Sequence, residues 1–230
     1  LGGFSIAYSM GANVVVAAES VIMLSIIPGY YKKISGFDKA DSRDAWRDYV
    51  AVVIPIYFLL CGFSVLAGPF MLRILAHQDF QIYASLVFWG GLIEGMRALT
   101  SFFYLSAYGQ KTTRNTILPH VPGIGLILVG VVAVHIYGSL HLFAFIMVCS
   151  HGILVLFLWL VVDPGMFRQV RLRSMWLASI TVLLMVFLAV YGWTQEWHHS
   201  LPMSIMMTGI LLFAVIGPSL VHLRKSSSFV

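Results

Sequence analysis

The residues best suited to chemistry in this chain are one glutamate and one arginine inside an otherwise apolar stretch. They are Glu94 and Arg97 in "FWGGLIEGMRALTSFF", residues 88–103, three positions apart. On a helix, this spacing puts both side chains on one face with the acid on the N-terminal side, so they can form an ion pair. A charge inside an apolar helix is costly and marks a candidate functional site.

Two interpretations of this pair are open. Glu94 and Arg97 can neutralise each other inside a helix bundle, although a buried pair still carries a desolvation cost that two apolar residues would avoid. Alternatively, their shared face borders a hydrated cavity, which removes that cost. Gly91 and Gly95 have the small-xxx-small spacing that lets a neighbouring helix approach closely, so we expect the glycines to pack against another helix.

Two further charged residues lie in apolar runs. Glu19 has no partner nearby in the sequence, so it is either a protonated buried acid or an acid paired across the bundle. It is therefore a candidate cavity residue together with Glu94 and Arg97. Arg73 falls near the outer end of its run, where it can extend to the lipid headgroups or contact the outer mouth of a pathway.

The histidines and cysteines do not predict a metal site or a cofactor. Cys61 and Cys149 lie singly in apolar runs, without CxxC or Cys/His spacing. We expect both to be small buried hydrophobic residues. His120, His135 and His151 are isolated along the sequence and are expected to be hydrogen-bonded residues. The adjacent histidines of "EWHHS" lack the HExxH spacing of zinc enzymes.

The composition is typical of an integral membrane protein. Of the 230 residues, 60% are hydrophobic and 10% are charged, against about 25% charged in an ordinary soluble domain. The net charge of +5 comes from Lys and Arg in short segments between apolar runs. A nucleic-acid binder would instead cluster them on a hydrated face, so nucleic acid is not an expected partner.

The apolar runs are long enough to be membrane-spanning helices, which need about 20 residues each. We therefore predict an all-α polytopic membrane helix bundle with seven transmembrane helices; Pro55, and Pro119 with Pro122, are expected to bend two of them. The predicted spans are 4–27, 50–75, 80–107, 115–136, 140–162, 174–193 and 201–222.

Basic residues predict the orientation, because Lys and Arg are retained on the cytoplasmic side. They concentrate in the loops 28–49, 108–114 and 163–173 and in the C-terminal tail, and are absent from the intervening loops. This pattern predicts an outer N-terminus and a cytoplasmic C-terminus. The linker 28–49 is expected to lie on the headgroups and the basic segment 163–173 to touch anionic lipid. A start at Leu1, without Met or a leader pattern, suggests a fragment of a longer chain.

Several segments carry a resemblance to a known family. They are Ala7-Tyr8-Ser9, Pro28 with Lys33 and Ser35 beyond it, Gly109-Gln110-Lys111-Thr112, and Tyr137-Gly138 in a short outer turn. Over residues 1–163 the chain resembles the C-terminal half of Wzx-like polysaccharide and lipid-linked oligosaccharide flippases, in the multidrug/oligosaccharidyl-lipid/polysaccharide exporter superfamily. The sequence Ser-Leu-His-Leu-Phe after Gly138 departs from the small residues commoner there, as does the lack of asparagines in the span 115–136.

The resemblance implies the second lobe of a two-lobed alternating-access transporter. Residues 1–163 would supply five helices of that lobe, and 164–230 two additional transmembrane helices and a cytoplasmic tail. In such a protein, Arg97 would contact the anionic group of a lipid-linked glycan, while Glu94 and Glu19 would tune the site or carry H+ or Na+. The expected location is the bacterial cytoplasmic membrane, with membrane lipids and polysaccharide synthesis machinery as partners and no enzymatic activity.

Three other functions are compatible with the same residues. A multidrug or small-cation antiporter of the same superfamily would have a more acidic cavity. A membrane-embedded transferase would need clustered carboxylates or histidines in a sizeable surface loop. A non-transporting membrane subunit of a polysaccharide synthesis complex would tolerate replacement of Glu19, Glu94 and Arg97.

Overall fold

The fold is known from a computed structural model that describes residues 2–34, 39–109, 113–162 and 172–224. Within those ranges the chain is helical apart from short connections and contains no strand, so the predicted all-α class is confirmed. The helices are α1 (Gly2–Ser25), α2 (Ile27–Ile34), α3 (Lys39–Leu75), α4 (Ala84–Gly109), α5 (His120–Tyr137), α6 (Leu140–Val161), α7 (Leu172–Thr194) and α8 (Leu201–Arg224).

Six of these helices are long and apolar enough to cross a membrane, which identifies the chain as an integral membrane protein. They are α1, α3 and α5 to α8, and each corresponds to one of the spans expected from the sequence. Helix α3 begins at Lys39, and the part of it that could cross a membrane is Asp44–Leu75. The helix therefore starts well before residue 50, where the predicted span begins.

Helix α4 corresponds to the predicted span 80–107 but is less apolar than the other six. It has 26 residues, so its length is sufficient. Its sequence contains Glu94, Arg97 and several glycines, which lower its mean hydropathy. Six membrane-spanning helices are thus established among the described residues by length and composition, and the seventh stays a prediction.

The helices are arranged around α1, α3 and α4, which pack against one another at the centre. Helices α5 and α6 form a pair that joins α4 mainly through α6, while α7 and α8 pack against α3. The contact between α3, α7 and α8 is a buried apolar cluster that includes Phe63, Phe70, Met185 and Leu211. The proposed division at residue 163 is not tested by this packing and stays a prediction.

The described parts of the linker, residues 28–34 and 39–49, belong to α2 and the first turns of α3, and aromatic residues pack them against each other and the bundle. Tyr30, Trp46 and Tyr49 are buried, and their ring centroids lie 5.2 to 5.9 Å apart. Burial, with a smaller contribution from Tyr31, raises the pKa of Tyr30 to about 12. These rings therefore contact one another within the protein, whereas such residues at span ends usually face the lipid headgroups.

The prolines that were expected to bend two helices do not all lie inside a helix. Pro55 lies inside α3, as expected, but Pro119 precedes α5 and Pro122 falls in its first turn. A proline in the first turn removes no helical hydrogen bond, so these two prolines begin α5 and do not bend it. The segment 163–171, most of the predicted basic loop, lies outside the described residues, as do Gln110, Lys111, Thr112 and Lys225.

Candidate functional site

Close helix packing fixes the position of the charged residues on α4. A Cβ atom added at Gly91 would lie 2.6 Å from Oγ of Ser64, and one added at Gly95 would lie 2.6 Å from Sγ of Cys61. Both neighbours belong to α3. The close approach predicted for the two glycines is thereby confirmed, because a larger residue at either position would require the facing side chain of α3 or the helix itself to shift.

Helix α1 approaches α4 as closely on a neighbouring face. A Cβ atom at Gly11 would lie 2.6 Å from the backbone nitrogen of Gly91, and the backbone carbonyl of Gly11 also accepts a hydrogen bond from Ser64 of α3. Further along both helices, Glu19 of α1 meets Arg97 of α4. The two helices therefore run in the same direction, and the glycine contact sets the register that brings Glu19 to Arg97.

Arg97 joins two carboxylates from different helices. Its Nε lies 2.5 Å from Oε1 of Glu94, and its Nη2 donates to Oε2 of Glu19. The side chains of Glu19 and Glu94 are 11% and 7% exposed, whereas that of Arg97 is 41% exposed. The structure thus brings together the three predicted cavity residues and resolves the alternatives for Glu19: it is paired across the bundle.

The ion cluster of Glu19, Glu94 and Arg97 has two acids for one base. With all three groups ionised its formal charge is −1. Phenol groups from the neighbouring helices lie close enough to interact electrostatically, Tyr8 of α1 with Glu94 and Arg97, and Tyr57 of α3 with Glu19 and Arg97. The carboxylates are therefore enclosed by α1, α3 and α4, and the more exposed guanidinium forms the outer edge of the cluster.

Arg97 also lines a cavity of about 300 Å³ between α4, α5 and α6. Among the cavity's polar residues are Thr100, Ser101 and Tyr104 from α4, His120 from α5, and Ser150 and His151 from α6. Its apolar wall includes Ile124, Ile127 and Leu154. Neither Glu94 nor Glu19 is part of the lining, so of the predicted charged face only Arg97 reaches this cavity.

Hydrogen bonds hold the polar wall of the cavity together. The hydroxyl of Tyr104 and Nε2 of His120 lie 2.5 Å apart, and the two rings are nearly parallel, with an interplanar angle of 13° and centroids 5.8 Å apart, so they meet end to end and not face to face. On the other side, the Ser150 hydroxyl donates to the Gly123 carbonyl at 2.8 Å. The Tyr104–His120 hydrogen bond thus joins α5 to α4, and the Ser150–Gly123 hydrogen bond joins α5 to α6.

Sequence reasoning missed the role of Tyr104 and Ser101 in this wall, although a signal was present. Arg97, Ser101 and Tyr104 are related by i, i+4 and i+7 spacing, which puts them on one face of α4. This polar stripe could have been read from the sequence. By contrast, the contribution of His120 depends on how α5 packs, and no local pattern predicts it.

The other candidate residues lie apart from the ion cluster. Arg73 is in the last turn of α3, and its buried Nε has no hydrogen-bond partner among the described residues. Its contact with an outer mouth stays a prediction. His198 is buried and stacks on Trp193, with the ring centroids 4.1 Å apart. Burial, then the neighbouring His199, lowers the pKa of His198, while Glu196 opposes this shift.

In the ranges that the structure describes, no group of three or more His, Cys, Asp or Glu side chains is arranged to hold a metal ion. Both Cys61 and Cys149 are free thiols. What the described arrangement offers is one partly exposed cation, Arg97, fixed at the edge of a ligand-sized cavity. The guanidinium N–H groups that the two carboxylates leave free can donate hydrogen bonds to a ligand in the cavity, while the cluster as a whole is negative.

Comparison with known proteins adds no further assignment. No family model, no curated protein and no solved structure matches this chain.

Proposed function

We propose that this protein is a membrane exporter or flippase that moves a lipid-linked oligosaccharide or polysaccharide across the cytoplasmic membrane by alternating access. In this proposal the chain contributes the second lobe of a two-lobed, Wzx-like transporter. The motifs around Ala7-Tyr8-Ser9, Pro28 and Tyr137-Gly138 are the source of the family assignment. The N-terminus would lie outside and the C-terminus in the cytoplasm, following the basic loops.

We further propose that α4 crosses the membrane as a seventh span. Its 26 residues make a helix of about 39 Å, longer than the hydrocarbon core of about 30 Å. Among its described side chains, only Ser85, Phe88 and Tyr108 are exposed. A helix that is enclosed by its neighbours can carry Glu94 and Arg97 through a bilayer, because protein partners replace the water that those charges lose.

The observation that carries the transport proposal is the position of Arg97. Its guanidinium is held by two buried carboxylates and is itself exposed to a cavity lined with hydroxyl and imidazole groups. A purely structural ion pair has no need of a cavity beside it. A fixed cation next to such a cavity can bind the phosphate of a lipid-linked glycan while the lipid chain stays in the bilayer.

One observation favours the alternative of a multidrug or small-cation antiporter. The ion cluster contains two carboxylates and one guanidinium, so Glu19 and Glu94 together exceed the charge of Arg97. Excess buried acid is suited to binding H+, Na+ or an organic cation. The two functions differ in the part played by Arg97, which is required for an anionic substrate and unnecessary for a cationic one.

Replacement of the cluster residues in the full-length protein tests the proposal. Cells lacking the native gene would be complemented with Arg97→Ala or Glu94→Gln, and surface glycan would be quantified beside the amount of inserted protein. We expect export to fall about tenfold or more, the loss of a charge-assisted contact, with insertion unchanged. Arg47→Ala and Glu196→Gln alter exposed residues and serve as matched controls.

The outcomes separate the candidate functions. Export that survives Arg97→Ala, Glu94→Gln and Glu19→Gln would contradict the transport site and support a non-transporting subunit of a synthesis complex. Cation efflux that depends on the two glutamates but persists without Arg97 would support the antiporter. Loss of export with each cluster variant, and normal export with each control, would support the flippase.

A further inference from the structure

The cavity beside Arg97 contains a second group of polar side chains that the proposed function leaves without a role. Tyr104 and His120 form a hydrogen-bonded pair of nearly parallel rings on its wall. Tyr104 follows Arg97 by seven residues, which corresponds to about 10 Å along α4. A single phosphate bound at Arg97 could not reach this pair, so a ligand that contacts both must extend beyond its anionic group.

The chemistry of the pair indicates what that extension would be. Two nearly parallel rings give a flat apolar surface, and the phenol and imidazole at their edge can donate or accept hydrogen bonds. A hexose ring presents C–H groups on its faces and hydroxyls around its edge, so it matches both properties. Ser101 and His151 supply further hydrogen-bonding groups in the same cavity.

The opposite wall indicates that the ligand is an amphiphile. Ile124 lines the cavity and is 56% exposed, and Val121 and Leu128, three and four residues away on α5, are exposed as well, so the cavity opens at the apolar surface of α5. Exposed apolar residues continue along the rest of α5. In a membrane this surface would contact lipid chains, and a headgroup could enter the cavity sideways while its chain remained in the bilayer.

We propose that the cavity between α4, α5 and α6 binds a glycosyl phosphate headgroup, with the phosphate at Arg97 and the first sugar at Tyr104 and His120. This inference rests on the proposed function and names the part of the substrate that the site selects. A volume of about 300 Å³ is at the lower end for small-molecule sites, so it accommodates a headgroup and not a whole lipid-linked glycan.

Binding to the full-length protein in phosphatidylcholine nanodiscs tests the inference without any transport step. Three probes would be titrated: a short-chain polyprenyl phosphate carrying one hexose, the same polyprenyl phosphate without the sugar, and phosphatidylglycerol. We expect the hexose-bearing probe to bind most tightly. Arg97→Gln should weaken the first two probes by about tenfold or more, because both lose the charge-assisted contact to phosphate.

The variants Tyr104→Phe and His120→Gln give the specific prediction. Each should weaken the hexose-bearing probe about threefold to tenfold, the loss of one or two neutral hydrogen bonds, and leave the sugar-free probe unchanged. Tyr137→Phe and His135→Gln make the same chemical changes at exposed positions of α5 and should alter neither. Gel filtration and near-ultraviolet circular dichroism would show whether each variant is folded.

The inference would be wrong if the two polyprenyl probes bound equally tightly. It would also be wrong if the Tyr104 and His120 variants weakened both polyprenyl probes equally, or if phosphatidylglycerol bound as tightly as the hexose-bearing probe. The last would identify a site for bulk anionic lipid. Export that requires Arg97 but a sugar preference independent of Tyr104 and His120 would refute this inference alone. The predicted preference without any export activity would refute the proposed function alone.

Discussion

Removal of Arg97 alone should destabilise the protein more than removal of all three charges of the ion cluster. In Arg97→Gln, the carboxylates of Glu94 and Glu19 lose their common partner while 7% and 11% of their side chains are exposed. Breaking a buried ion pair in this way costs about 3–5 kcal/mol in the free energy of unfolding. Because the Arg97 side chain is 41% exposed, water screens part of the interaction, and we expect about 3 kcal/mol.

Replacing all three cluster residues by glutamine should recover most of that loss, because no uncompensated charge would remain. We expect the triple variant to be at least about 2 kcal/mol more stable than Arg97→Gln, although it carries two more substitutions. Equilibrium unfolding in mixed detergent and dodecyl sulfate measures the difference. Arg47→Gln, at an exposed position of α3, should change stability by less than about 0.5 kcal/mol. A triple variant less stable than the single one would refute the assignment of the cost to unpaired buried acids.

Two further predictions concern helix packing and pH. Gly11→Ala should lower the free energy of unfolding by about 1–3 kcal/mol, because its Cβ would collide with α4. Gly125→Ala is the control: nothing lies within 4 Å of its Cβ, so the change should be neutral or stabilise the protein by up to about 1 kcal/mol. Equal effects of the two substitutions would contradict the close approach of α1 and α4. The lowered pKa of His198, due to burial and then His199 against the opposing Glu196, means that the unfolded chain binds the proton more readily. Stability should therefore be full above the unfolded pKa of about 6.5 and fall as the pH drops below it, and thermal unfolding between pH 8 and pH 5 should show a smaller fall in a His198→Phe variant.

The helices themselves could be predicted from the sequence, because each membrane-spanning helix satisfies its own backbone hydrogen bonds and needs only a sufficiently long apolar run. The boundaries of the runs at 140–162 and 201–222 agree closely with α6 and α8. The Glu94–Arg97 contact could also be predicted, because residues three apart on a helix are neighbours whatever surrounds them.

The rest of the site depends on contacts between helices far apart in the sequence. The partner of Glu19 is 78 residues away, and the packing of α1 against α4, closest at Gly11, brings it to Arg97. Likewise, the cavity exists because α5 and α6 lie beside α4. Spacing along one helix determines which residues share a face, but not which other helix that face meets. The sequence therefore left open whether the shared face is neutralised inside the bundle or borders a cavity, whereas the structure divides that face between buried acids and an exposed guanidinium.

The polarity of α4 and its position in the bundle have a common physical cause. A helix that contacts lipid must be apolar on its outer surface, and the exposed side chains of α5, among them Val121, Leu128 and Val132, satisfy this requirement. Helix α4 is enclosed by α1, α3 and α6, so only a small part of it would face lipid, and glycines and charges there cost little. The mean hydropathy of α4 is lower than that of the six apolar helices. A low hydropathy is expected for a central helix that carries polar residues on an enclosed face. A polar residue in place of Phe88, which is exposed, should reduce the amount of inserted protein more than a polar residue in place of Ile93, which is buried among the neighbouring helices.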